Sequence, residues 1–115
     1  MVFDFTINNQ GNYALITLSG NLIEKSQAFD LLEKAEELAA QNCSRWAIDL
    51  EKLIYMNSSG LNTLIQLLTK ARVAGGEAVL FNMNKKINEL ILITKLHTLF
   101  RIAESRENAL GILGV

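Results

Sequence analysis

Apolar positions change their spacing several times along the chain, and each change predicts an element. Residues 2–7 alternate, with Phe3, Phe5 and Ile7 on one face and Asp4 and Thr6 on the other, the pattern of a strand buried on one side. Asn8-Asn9-Gln10-Gly11-Asn12 is a run of turn formers, after which residues 13–18 resume the alternation with Ala14, Ile16 and Leu18 aligned. The two runs predict a hairpin with a five-residue loop. Ser19-Gly20-Asn21 is expected to break the second strand. From Ser26 the period lengthens to that of a helix. Ala28, Leu31, Leu32, Ala35, Leu38 and Ala39 form one stripe, and Asp30, Glu33, Lys34, Glu37 and Gln41 lie opposite.

Residues 45–50 are almost continuously apolar, Trp46, Ala47, Ile48 and Leu50 interrupted by Asp49, as in a central strand covered on both faces. Leu61, Leu64, Ile65, Leu68 and Ala71 form a second helical stripe. It should stop at Gly75-Gly76, because glycine readily supplies the left-handed residue that ends a helix. Glu77–Phe81 reads as a short buried strand and Lys85–Ile93 as a third helix through Ile87, Leu90 and Ile91. Residues 99–102 read as an edge strand and Arg106–Leu113 as a last helix. Strands separated by helices need crossover connections, so this order predicts an α/β domain spanning residues 1–115. Its sheet is mixed and mostly parallel, of about four to five strands, with the first strand antiparallel and the helices packed mainly on one side. Functional contacts in such a fold belong at the carboxyl ends of the central strands, here residues 20–27, 55–60 and 82–86.

Composition narrows the function. A chain of 115 residues, half of them apolar and none proline, is the size of one globular domain. Eleven Lys and Arg against twelve Asp and Glu leave a net charge of -1, which does not assemble the basic face that phosphate backbones require, so nucleic acid is not an expected partner. Cys43 is the sole cysteine and cannot form an internal disulfide. The first thirty residues carry Asp4, Glu24 and Asp30 rather than a basic start and an apolar run, and a cytoplasmic protein is expected. The apolar run Leu90-Ile91-Leu92-Ile93 is far short of the roughly 20 residues that span a bilayer, so no membrane insertion is expected. With His97 as the sole histidine, neither a histidine-built metal site nor a Ser/His/Asp arrangement is expected, and no cofactor is implied.

The remaining chemistry is modest. Asn57-Ser58-Ser59-Gly60 stands at a helix start, where any of its first three side chains can accept a hydrogen bond from the first turn. A phosphate attached there would add a charge of about -1.5 to -2 in front of free N–H groups and the positive end of the helix dipole, which the fold can tolerate. Leu61 reads as core and Met56 as a strand-end filler, or as a contact residue if it is exposed. Gly75-Gly76 lacks the Gly-Lys-Ser/Thr of a phosphate loop. Lys85, Lys86, Lys95 and Arg101 read as solvated helix ends, His97 as a half-buried filler, Cys43 as inert and Trp46 as core.

Trp46-Ala47-Ile48-Asp49-Leu50 followed by Ile54-Tyr55-Met56-Asn57-Ser58-Ser59-Gly60-Leu61 resembles the STAS domain of bacterial anti-sigma factor antagonists. Lys70-Ala71-Arg72-Val73-Ala74-Gly75-Gly76-Glu77-Ala78-Val79-Leu80-Phe81 is similar to that family's helix, Gly-Gly and fourth-strand block. Ile93-Thr94-Lys95-Leu96-His97-Thr98-Leu99-Phe100 resembles its threonine-glycine-leucine stretch, and the opening hairpin with Leu18-Ser19-Gly20-Asn21-Leu22 extends the likeness over nearly the whole chain. The resemblance implies a single STAS domain that is a regulatory module and not an enzyme. A serine kinase that is itself the anti-sigma factor would phosphorylate Ser58. The unphosphorylated antagonist would bind that kinase and free sigma, and a phosphatase would restore it. Ser59 corresponds to a neighbouring Ser/Thr position, and Gly60 to the glycine that lets the helix start approach a partner closely.

The implied partner surface comprises Asn21, Glu24, Met56, Asn57, Ser58, Ser59, Gly60, Leu61, Asn82, Met83 and Asn84; the oligomeric state stays open. The chain departs from the family pattern in three places. Asn57 replaces the usual aspartate before the serine, Asn21 replaces an acidic residue whose place Glu24 could take, and Lys95 stands where glycine is common. An amide can cap the helix but carries no charge and takes no proton. The resemblance also implies a rival role, a STAS subunit docking on the ATPase of a membrane (lipid or anion) transporter without phosphorylation. An enzyme with Ser58 as nucleophile has the least support, since no motif places a base beside it.

Overall fold

Backbone pairing gathers the strands β1 (Asp4–Asn9), β2 (Ala14–Leu22), β3 (Arg45–Met56), β4 (Glu77–Phe81) and β5 (Arg101–Ala103) into one sheet in sequence order, in a computed structural model that describes residues 2–115. β1 pairs antiparallel with β2, and every later neighbour is parallel. The connections α1 (Phe29–Ala40), α2 (Ser58–Val73) and α3 (Lys85–Ile93) all step across the sheet in the same direction. Right-handed crossovers taken in one direction put their helices on one face. The larger core accordingly joins Leu31 and Ala35 of α1, Leu64 and Leu68 of α2 and Ile87 of α3 to Ile16, Trp46 and Ile48 of the sheet. The other face is covered by α4 (Arg106–Leu113), whose Ala109 and Leu113 pack with Ala47, Val79, Phe81 and Ala103. Hence β3 reads as a nearly continuous apolar run: its odd and even positions are both buried, against different layers.

Several expected boundaries move. β2 passes through Ser19-Gly20-Asn21 instead of breaking there, with register shifts between Thr17 and Ser19 and between Gly20 and Asn21. Gly20 takes φ +81°, and a Cβ on it would lie 2.2 Å from the Val2 carbonyl oxygen, so this irregular step of the strand needs glycine. β3 continues beyond Leu50 to Met56. Its extension buries Leu53 and Met56 but exposes Glu51, Lys52, Ile54 and Tyr55, a spacing of three that does not look like a strand. Pairing with β4 ends at Asp49 with Phe81, so this extension pairs with β2 alone. The first helix is prefaced by a 3-10 turn, Lys25–Ala28. α2 stops before Gly75-Gly76 as expected, and the last strand is Arg101–Ala103 rather than residues 99–102.

Trp46 is fully buried and donates its indole N–H to the Cys43 carbonyl at 2.8 Å. Cys43 is buried too, and desolvation pushes its thiol above the ordinary 9.0, which disfavours the nucleophilic thiolate. His97 is exposed in a short 3-10 turn, Leu96–Thr98, not half-buried. Among the described residues no helix is long and apolar enough to cross a membrane, and no three His, Cys, Asp or Glu side chains cluster as a metal cage would need.

Candidate functional site

The quartet sits where β3 ends and α2 begins, and each of its side chains has a distinct task. Asn57 is the N-cap: its Oδ1 accepts from the Gly60 N–H at 3.2 Å. Its Nδ2 donates to the Ile23 carbonyl at 2.8 Å, and its own N–H reaches the Leu22 carbonyl at 3.4 Å. One amide therefore caps α2 and ties it to the loop that leaves β2. A carboxylate could perform the first task but not the second, because it has no donor. The Asn57 amide is thus built into the junction.

Gly60 is fitted to the same junction. A Cβ at this position would lie 2.4 Å from the Leu22 carbonyl oxygen and 2.7 Å from the Met56 Cβ. The close approach that requires glycine here is to the chain's own β2 end. The expectation of Met56 and Leu61 as contact residues is corrected: they are 1% and 6% exposed and pack beneath the helix start, so their side chains offer no contact surface. Ser58 and Ser59 are exposed on the first turn of α2. Thr63, one turn on, is buried and donates its hydroxyl to the Ser59 carbonyl at 3.2 Å.

The loop after β2 is closed by Gln27, whose Oε1 accepts from both the Ile23 N–H at 2.9 Å and the Glu24 N–H at 3.0 Å. Asn21 is half-buried and pairs with Tyr55 across the strands, while Glu24 is exposed. Lys25 of the 3-10 turn lines a cleft of about 210 Å³ together with Ser58, Ser59, Asn62 and Gln66 of α2. Periodicity could not announce Lys25 or Gln27, since both act from a short 3-10 turn that leaves no apolar period. Ile23, Phe29 and Tyr55 are 41%, 57% and 47% exposed at this end of the sheet. Phe29 could have been found, because it falls outside the apolar stripe of α1.

The third segment stands on the other flank of β3. Asn84 repeats the device of Asn57: its Oδ1 caps α3 through the Ile87 N–H at 2.9 Å, and its Nδ2 donates to the Leu53 and Ile54 carbonyls at 3.0 and 3.1 Å. Asn82 adopts φ +58° and directs its Nδ2 to Asp49 Oδ1 at 3.3 Å, well back from the tip. Met83 is half-buried against the main core. The structure therefore ties residues 21–27 and 57–60 together directly, whereas Asn82 and Asn84 attach to β3 through separate bonds and Met83 packs against the core.

A sequence profile of the STAS domain matches residues 4–109. The chain belongs to the STAS domain family. An anti-sigma F factor antagonist of Paenibacillus polymyxa is 25% identical over 101 residues, covering 88% of this STAS domain and 86% of that protein. Among solved structures, an anti-sigma factor antagonist from Mycobacterium paratuberculosis superposes with a TM-score of 0.80 at 17% identity, covering 98% of this chain and 95% of that one. The Bacillus cell fate determinant SpoIIAA in its phosphorylated form gives a TM-score of 0.72 at 18% identity, with 95% and 98% covered. At these identities the structural likeness speaks for the fold. Curated relatives of this STAS domain are thus anti-sigma factor antagonists by name, and its fold is shared with the solved antagonist structures.

Proposed function

We propose that this STAS domain is an anti-sigma factor antagonist acting in the cytoplasm, which docks on an anti-sigma factor with serine kinase activity. Phosphorylation of Ser58 releases it, and a phosphatase returns it to the binding form. The observation that carries this reading is the division of labour at the start of α2. Asn57 performs the capping, so Ser58 is exposed and free to be modified without dismantling the helix. Around Ser58 the exposed Ile23, Phe29 and Tyr55, with Asn21, Glu24 and Ser59, form the docking surface, and Asn82, Met83 and Asn84 form its outer margin. A phosphate bearing about -1.5 to -2 charges beside these apolar side chains has to be desolvated for docking, which disfavours the complex.

The test is incubation with candidate kinases and ATP, followed by intact-mass measurement and peptide mapping. Phosphate on Ser58 supports the reading; phosphate confined to Ser19, Ser26 or Ser44 rules it out. A second reading, docking on a transporter ATPase without phosphorylation, is favoured by the commitment of the Asn57 amide to the Ile23 carbonyl, which leaves the helix start without a carboxylate. Asn57→Asp separates the two. It raises the Ser58 phosphorylation rate in the switch, and in the transporter subunit it weakens docking with no change in rate.

A further inference from the structure

Phosphate on Ser58 would not face open solvent on every side. The cleft beside it is walled by the 3-10 turn Lys25–Ala28 and the first turns of α2, and its lining contains no carboxylate. Lys25 is the charged residue there, Leu32 is apolar, and the rest carry hydroxyls or amides. Ser59, Asn62 and Gln66 can donate to a phosphate oxygen, while the Thr63 hydroxyl is already committed to the Ser59 carbonyl. Lys70 and Arg72 are held by Glu36 and Glu77, but Lys25 is in no ion pair among the described residues. Glu24 precedes it in the chain without lining the cleft. A dianion in this cleft therefore meets one uncommitted cation and several neutral donors.

We infer that Lys25 is the internal counter-ion of phosphorylated Ser58, so that the modified protein gains a charged tie between the 3-10 turn and the start of α2. This rests on the reading of Ser58 as the modified residue and adds how the modified state is held. It makes phosphorylation more than a negative charge in a partner's way. The turn that joins the exposed Ile23 to the exposed Phe29, already tied to α2 through the Asn57 amide, gains a second, charged tie to α2 in the phosphorylated form. Lys25 thereby acts as a positioning residue for the phosphate.

The experiment installs phosphoserine at position 58 by genetic encoding, so that it does not depend on any kinase, and follows the 31P chemical shift against pH. A free phosphoserine loses its second proton near about pH 6. A neighbouring ammonium favours the dianion, so the midpoint of the unsubstituted protein should lie below that of Lys25→Gln by about 0.3–0.7 pH unit, the size of an exposed ion pair. Lys34→Gln, which alters an exposed lysine outside the cleft, should leave the midpoint where it is. Equal midpoints with and without Lys25, or an equal rise in Lys34→Gln, overturn the assignment. Failure of every kinase to modify Ser58 would count against the switch itself while leaving this measurement intact.

Discussion

Replacing Asn57 by aspartate tests whether its amide is a cap or a tie. Judged from the helix start alone, the substitution should be neutral or slightly stabilising. Asp caps about as well as Asn, and its charge gains roughly 0.3–1 kcal/mol from the helix dipole. The structure adds a cost. Asn57 Nδ2 donates to the Ile23 carbonyl at 2.8 Å, and a carboxylate oxygen placed there would face another oxygen. Losing a hydrogen bond of this kind costs about 0.5–1.5 kcal/mol, and because Ile23 is exposed, water can serve the freed carbonyl and limit the penalty. The two terms nearly cancel and leave Asn57→Asp less stable by about 0–1 kcal/mol. Asn57→Ala loses both cap and tie and should cost about 1.5–2.5 kcal/mol.

Urea unfolding read by linear extrapolation gives the totals, and amide exchange locates the effect. In Asn57→Asp the Ile23 and Glu24 amides, which Gln27 holds through its Oε1, should exchange faster while the body of α2 is unchanged. An aspartate variant more stable than the parent by about 0.5 kcal/mol or more, with unaltered exchange in that loop, would show that the tie contributes nothing.

Ser58→Ala should unfold within about 0.5 kcal/mol of the parent in the same assay, since Asn57 holds the cap, and should bind the proposed partner constitutively. Gly60→Ala forces a Cβ against the Leu22 carbonyl and should cost about 1–3 kcal/mol in urea unfolding. Gly111→Ala, in α4 with nothing within 4 Å of the added Cβ, should instead stabilise by about 0.5–1 kcal/mol. Burial raises the Cys43 thiol above 9.0, so at pH 8 alkylation of the native protein should be at least about tenfold slower than of the urea-unfolded chain. The same shift contributes stability that is complete below pH 9 and lost as pH rises through the folded value, which pH-dependent unfolding of Cys43→Ala should lack.

Much of the fold was legible because burial by one layer or two leaves a period. β4, α3 and α4 fall where the apolar spacing puts them, and the double burial of β3 shows in Trp46, Ala47 and Ile48. Legibility fails where one residue serves two elements. The end of β3 is supported by β2 and by the Asn84 amide, so Leu53 and Met56 are buried at a spacing of three and no strand period survives. The site was legible to the same degree. Ser58, Ser59 and Asn57 announce a helix start through their capping chemistry, but nothing local distinguishes a Met56 that packs inward from one that faces a partner.

The sequence by itself determined the α/β class, the order of elements, the helix start at Asn57-Ser58 and the family to which the chain belongs. Each of these depends on interactions within a few residues or on a motif that travels intact along the chain. Tertiary structure decided which loops meet. It set the Asn57 amide on the Ile23 carbonyl, left space for Gly60 alone against Leu22, and brought Lys25 into the cleft beside Ser58. These are contacts between segments that only the packing of α2 on the end of β2 places side by side, and local periodicity carries no term for them.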